Sequence, residues 1–393
     1  MGKGFSFLKW IVLSCLIGLT AGATSAGFLI SLDYFTNIRV HAYWLLACLP
    51  IGGWLTIWLY KQFDANALKG NHLITASIQN PTMPIIPMVM APLIYTTTII
   101  AHLFGGSTGR EGTALQISTA LSDQLSQPFK LSPSQRSIAL KMAVAAGFGS
   151  IFGTPLAGAV FALEYAYTKQ QQQIFQLVPI VFTAMIADQV TLAFGVVHSN
   201  YTIALYPLMQ LTHWMYLLMA ALIYGLAAFI FKHGMHSSKK ILLKILPNPY
   251  WRIIVGGTMI AIIVYATEGF KFIGLGIPTI LQAFETTTAP TDFLFKIGLT
   301  ILTLSVGFKG GEVTPLFFIG ATLGSALSLF CPLPIGFLAG MGLVAVLGAA
   351  AKTPLASTIL AYELFGKEAL IYAFIVCIIA SFISGKQSIY RES

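Results

Sequence analysis

The chain has 393 residues, 56% of them hydrophobic and only 9% charged, and its 22 Lys and Arg against 13 Asp and Glu give a net charge of +9. A composition this apolar, with 28 Phe, excludes a soluble globular domain and indicates an integral membrane protein. The positive charge does not indicate nucleic acid. Lys232, Lys239, Lys240, Lys244 and Arg252 cluster in one loop, and Lys3, Lys9, Lys386 and Arg391 lie near the termini, a pattern of orientation signals that places this loop and both ends in the cytoplasm.

From the N-terminus, Lys3 and Lys9 precede an apolar run in which Ala21-Gly22-Ala23 resembles a leader cleavage site. Hydrophobicity continues to Leu32, so a first membrane helix is expected instead. Further apolar runs cover residues 42–60, 83–104, 138–167, 174–197, 214–231, 253–266, 293–306, 316–351 and 369–383. No polar block between them is long enough for a soluble domain, and the few residues after Ile383 leave no room for a regulatory tail. Cys15, Cys48, Cys331 and Cys377 all lie in apolar runs without metal-ligand spacing and read as small core residues. No metal or cofactor is expected. There is no H-E-x-x-H and no paired-Asp motif, so the chain is not read as an enzyme.

The sequence repeats itself. Thr154-Pro155-Leu156-Ala157 recurs as Thr353-Pro354-Leu355-Ala356 at an offset of 199, and each copy has a Glu ten residues after its Thr, Glu164 and Glu363. Trp10 and Trp214, Gly70 and Gly274, and the Thr113 and Thr314 segments keep nearly the same interval. The first half begins in the cytoplasm by its lysines, whereas the run 214–231 leads into the basic loop and so begins outside. The expected architecture is therefore an all-α polytopic membrane protein of two inverted repeats, residues 1–202 and 203–393, with broken helices converging near the midplane. Helix N-termini that meet there offer unpaired N–H groups and the positive end of the dipole, which suits an anion.

Four breaks are candidates for that site: Gly70-Asn71-His72 before the prolines 81, 84 and 87; residues 105–113, GGSTGREGT; residues 307–315, GFKGGEVTP; and residues 385–390, GKQSIY. Glu111 and Glu312 sit in the two repeat-related breaks, and a carboxylate at membrane depth marks an ion or proton path. The matched Glu164 and Glu363 read as structural, satisfying neighbouring helix ends.

Gly109-Arg110-Glu111-Gly112, the TPLAGAVFALE stretch, Gly310-Gly311 with Pro315, and Gly385-Lys386 with Tyr390 together resemble the CLC family of anion channels and anion/proton antiporters, over nearly the whole chain. The resemblance implies a homodimer with one anion pathway per subunit. It makes Glu111 the gating, proton-accepting glutamate and Tyr390 the tyrosine that donates to the anion. Where chloride-transporting members carry a Ser-containing loop, this chain has Gly70-Asn71-His72, leaving Asn71 and His72 both as candidates. Thr113 replaces the proline after the gating motif, and Glu312-Val313-Thr314-Pro315 replaces an aromatic-led pair. Tyr165 stands where chloride/proton antiporters place a second, proton-relaying glutamate. These departures resemble the fluoride-exporting branch.

The expected function is thus a proton-coupled fluoride exporter in a cell inner membrane or plasma membrane, with a chloride/proton antiporter or passive chloride channel of the same fold as alternatives. Fluoride, a small and strongly hydrated acceptor, needs directed donors such as Asn71, Thr314, Tyr390 or backbone N–H groups. The expected anion-binding set is Asn71 or His72, Gly109, Arg110 and Gly112 from the first half, with Val313, Thr314 and Tyr390 from the second. Glu312 is the candidate for the missing proton relay; its alternative is a simple helix-terminal acid.

Overall fold

A computed structural model describes residues 2–166, 176–207 and 210–390. Eight helices cover the first half: α1 (Gly2–His41), α2 (Leu49–Phe63), α3 (Asn71–Gln79), α4 (Met90–Leu103), α5 (Glu111–Leu125), α6 (Pro133–Phe152), α7 (Pro155–Tyr165) and α8 (Leu177–Ala193). Eight more follow, with similar lengths at corresponding positions: α9 (Leu211–Ile245), α10 (Pro249–Ala266), α11 (Ile277–Glu285), α12 (Asp292–Val306), α13 (Val313–Leu327), α14 (Ile335–Ala351), α15 (Pro354–Phe365) and α16 (Leu370–Ile383). The long α1 and α9 open the two series, and α5 and α13 begin 202 residues apart.

The centre of the molecule is built from α5, α6, α13 and α14. Every residue of α13 is buried, as is every residue of α14 from Phe337 on, and both helices are apolar all round, as fully enclosed helices must be. With little driving force between apolar surfaces in lipid, such helices hold by close packing of small residues. Gly320 and Gly324 on α13 meet the backbone of α14 so tightly that a methyl group on Gly320 would lie 2.1 Å from the Gly342 carbonyl oxygen. At 15 residues each, α5 and α13 are only about 22 Å long at 1.5 Å per residue, too short for a bilayer core of about 30 Å. Their N-terminal ends fall inside the protein.

Several runs that look continuous by hydropathy are broken. The run 138–167 is α6 and α7, separated by Gly153 in the left-handed conformation (φ +72°) and by the helix-starting Pro155; its last residue, like the start of the run at 174, lies outside the described residues. The run 316–351 spans α13, a turn and α14. The start of the run 83–104 is not helical, because the prolines at 81, 84 and 87 deny it backbone donors; Arg136 instead donates to the carbonyls of Pro81, Met83 and Pro84 while pairing with Asp123. The basic cluster taken as a loop is also different. Lys232 to Lys244 belong to α9, whose 35 residues extend to about 52 Å. The loop proper begins only after Ile245.

The two TPLA copies exchange acids. Glu363 of α15 accepts from the N–H groups of Leu156 (2.9 Å) and Ala157 (2.8 Å) at the start of α7. Glu164 of α7 accepts from Leu355 (3.2 Å) and Ala356 (2.7 Å) at the start of α15. Each carboxylate thereby satisfies donors that the helix cannot use itself and lies at the positive end of its dipole. Replacing either with leucine strands two N–H groups and is expected to cost about 2–3 kcal/mol. Thermal unfolding in detergent should show a lowered midpoint for both variants, and an unchanged midpoint for either one would refute this cross-capping.

Candidate functional site

The N-termini of α5 and α13 meet head to head. Gly109 N–H donates to the Gly311 carbonyl at 2.6 Å and Gly311 N–H returns the bond at 2.7 Å, so residues 202 apart form an antiparallel bridge. Neither position admits a side chain. A methyl group on Gly109 would lie 2.9 Å from the Gly311 oxygen, and one on Gly311 would lie 2.7 Å from the Gly112 nitrogen.

Glu111, the first residue of α5, is fully buried. Its carboxylate leaves its own helix and reaches the start of α13, accepting from Thr314 N–H (3.2 Å) and from the Thr314 hydroxyl, with Arg110 N–H (3.1 Å) as a third donor. A negative group thus sits on a helix N-terminus inside the protein, the position where free N–H groups and the dipole hold an anion.

Two cavities approach this point from opposite sides. One, of about 200 Å³, is bordered by Asn71, His72, Gln116, Glu312 and Tyr390, and also by Lys69, Lys232, His236, Lys239 and Lys309. The other, of about 720 Å³, is bordered by Arg39, Arg110, His198 and the start of α11. Glu111, Gly109, Gly112, Val313 and Thr314 border neither, while their neighbours Arg110 and Glu312 border one each. The expected set therefore divides. Asn71, His72, Glu312 and Tyr390 come together on one side. Arg110, expected with them, faces the other cavity, because as the residue preceding α5 it projects back from the helix start; its Nε lies 3.9 Å from Glu111 Oε1.

The side chains of the smaller cavity are held closely. Tyr165 donates to the Asn71 carbonyl at 3.1 Å and its ring lies 4.8 Å from that of Tyr390. The Tyr390 hydroxyl, buried, has no hydrogen-bond partner among the described residues. Ser388 Oγ donates to the Ala351 carbonyl and Ile389 N–H to that of Ala350, which fixes the segment that carries Tyr390. Lys232 reinforces it by donating to the Gln387 carbonyl at 2.7 Å. Glu312 precedes α13 but makes no side-chain capping bond, and its Oε2 has no partner among the described residues.

Sequence reasoning missed Gln116, whose Nε2 donates to Asn71 Oδ1 at 3.2 Å; an amide in the middle of a buried helix was the available signal. It also missed that residues 105–109 fit the G-x-S-x-G spacing of serine hydrolases. Ser107 is not activated there. Its hydroxyl donates to the Phe272 carbonyl at 2.9 Å and lies 3.0 Å from the Thr300 hydroxyl, with no base among its bonded partners. No group of His, Cys, Asp and Glu suited to a metal occurs among the described residues.

Broken helices in paired series, meeting N-terminus to N-terminus between two polar cavities, define a membrane transport protein of the inverted-repeat class. The chain belongs to the CLC family, the voltage gated chloride channel family, whose sequence profile matches residues 52–385. A chloride/fluoride channel protein of Pseudomonas syringae pv. tomato is 42% identical over 389 residues, 98% of this chain and 86% of the relative. A CLC-type fluoride/proton antiporter of known structure matches with a TM-score of 0.94 at 32% identity, over 99% of this chain and 98% of that one. A slow cyanobacterial chloride/proton antiporter, at 19% identity, shares the fold with a TM-score of 0.83 over 97% and 96% of the two chains.

Proposed function

We propose that this chain is a proton-coupled fluoride exporter in which Glu111 is the gate. The observation that carries the reading is the buried carboxylate of Glu111 on the N-terminus of α13, beside residues that border two cavities. In this reading the carboxylate is a tethered anion. Fluoride arriving from the smaller cavity competes for the same N–H groups, Thr314 hydroxyl and helix dipole. Protonation removes the charge that holds Glu111 there, so the neutral side chain yields its place. One group that is charged in one state and neutral in the other links anion movement to proton movement. Outward fluoride movement is favoured by a negative interior, and inward protons add the pH gradient.

The remaining residues take roles around that exchange. Asn71, Thr314 and Tyr390 supply directed donors to a dehydrated fluoride, with the N–H groups of Gly112 and Val313 at the helix starts and Gly109 keeping the approach narrow. His72 and Lys309 border the smaller cavity. Arg110 serves the opposite mouth. Glu312, facing the smaller cavity without a capping bond, passes protons between the cytoplasm and Glu111 where Tyr165 lacks a carboxyl group. The repeats are residues 1–202 and 203–393, the protein functions as a homodimer in lipid, and the smaller, lysine-bordered cavity opens to the cytoplasm. The positive-inside rule supports that orientation in an inner or plasma membrane. A passive anion channel is the second reading, favoured by the name of the Pseudomonas syringae relative.

Uphill fluoride movement driven by a pH gradient in proteoliposomes separates the two readings: an exporter accumulates fluoride against its gradient, and a channel never does. In the exporter, Glu111→Gln keeps the side chain's size but removes its titration, so proton-coupled exchange should vanish while uncoupled anion leak is allowed to remain. Coupled fluxes surviving at the original rate would eliminate Glu111 as the gate. Glu312→Gln, verified as monodisperse, should lose coupled transport at least tenfold if the proton passes through it. A normal reversal potential in that variant would assign Glu312 to structure alone. Single cysteines placed at the exposed positions Lys240 and Lys244 should resist membrane-impermeant thiol reagents in intact cells; strong external labelling would reverse the assigned orientation.

A further inference from the structure

Asn71 is held by more contacts than a residue at a helix start requires. Gly70, which precedes it, has φ +53° and ψ −128°, a conformation only glycine adopts readily, and this turn directs the first residue of α3 into the cavity. The backbone oxygen of Asn71 accepts from Tyr165 Oη at 3.1 Å and from Thr75 Oγ1 at 3.0 Å. Its side-chain oxygen accepts from Gln116 Nε2 at 3.2 Å. Both oxygens are therefore engaged by donors, and the amide nitrogen faces the opposite way. A methyl group on Gly112 would lie 3.1 Å from Asn71 Nδ2 and 3.6 Å from Glu312 Oε2. The amide nitrogen and the Glu312 carboxylate thus border one point beside the start of α5.

The direction of this amide has a large consequence. An Asn side chain turned over would present its oxygen, an acceptor, to an anion and to Glu312, and both encounters are repulsive. Presented as it is, the amide offers N–H donors to the pathway. Two contacts favour the orientation seen: the Glu312 carboxylate on the side of the amide nitrogen, and a donor facing Asn71 Oδ1 on the far side. Gln116, 4% exposed and on the interior of α5, is that donor.

We infer that Gln116 is a positioning residue for anion selectivity: by donating to Asn71 Oδ1 it locks the Asn71 amide with its N–H groups toward the ion path, and so favours fluoride, the stronger hydrogen-bond acceptor, over chloride. The inference rests on the proposed place of Asn71 in the fluoride pathway. A methionine at 116 keeps length and apolar bulk but donates nothing, so Asn71 loses its orientation and not its packing.

The test is the ratio of fluoride to chloride efflux from proteoliposomes for the wild type, Gln116→Met, Asn71→Ala and the double variant, each verified as monodisperse. Loss of one hydrogen bond in a buried site corresponds to about a tenfold fall in the ratio for Gln116→Met. Asn71→Ala should lower the ratio at least as far, and adding Gln116→Met to it should change nothing more, because the residue then has nothing to orient. A ratio that falls in Asn71→Ala but stays at the wild-type value in Gln116→Met overturns this inference alone, as do fully additive effects. A wild-type ratio in Asn71→Ala overturns the placement of Asn71 in the pathway, and this inference with it. If Gln116→Met does not reconstitute, Gln116→Glu replaces it. That side chain only accepts when ionised, turns the Asn71 oxygen toward the path and should lower the ratio again; an unchanged ratio overturns the inference.

Discussion

A backbone N–H without an acceptor costs several kcal/mol in hydrocarbon, and this chain ends two helices there. α5 and α13 are too short to reach water at both ends, so their free donors converge inside the protein. The Gly109–Gly311 bridge satisfies one N–H from each segment and brings the two helix starts close enough for a side chain of one to serve the other. Glu111 does this for Thr314. Much of the surrounding architecture follows from protecting this junction: two glycines where any Cβ would collide, a pair of enclosed central helices, and longer helices outside them.

The inverted repeat is kept in the scaffold and broken at the helix starts of the junction. Helix order, the glycine bridge and the exchange of Glu164 and Glu363 between α7 and α15 are all reciprocal. The helix starts are not. Arg110 and Glu312 occupy the same place before α5 and α13 yet carry opposite charge and border opposite cavities. Glu111 has Val313 as its counterpart, so only α5 sends the carboxylate of its first residue across to the other helix start. A perfectly symmetric junction would make both sides of the membrane equivalent.

The duplicated TPLA segments and the glycine-flanked acids were legible because each combines a rare residue with a constraint that only one kind of structure meets. Proline at the start of α7 and α15, and Glu at their ends, announced the helices and a structural role for the acids; that the capping is reciprocal came from the structure. Hydropathy carried less. It cannot see the turn at Gly153 between two equally apolar helices, and it read Lys232–Lys244 as a loop because charge suggests water, although a 35-residue helix simply extends past the membrane. The direction of Arg110 and the bond from Gln116 to Asn71 depend on which face each residue presents after the helices have packed. That information is tertiary, and motif spacing does not contain it.

The smaller cavity shows how the segment after α16 is held in place. Ser388 and Ile389 bond to the last carbonyls of α14, and Ser384 Oγ donates to Ala349. Lys352, a non-glycine residue with φ +62°, adopts the left-handed conformation at the end of α14 and sends its ammonium to Ser384 Oγ at 2.9 Å. Its counterpart in the first repeat is Gly153, which takes the same conformation without strain. A lysine there costs backbone energy of about 1 kcal/mol or more, which its bonds to the end of α16 offset. The cost is understandable if the segment leading to Tyr390 must not move. A small anion is recognised through donor positions, and a hydroxyl displaced by an ångström no longer distinguishes a small acceptor from a large one. If Tyr390 donates to the anion as proposed, rigid attachment of this segment serves selectivity as much as stability.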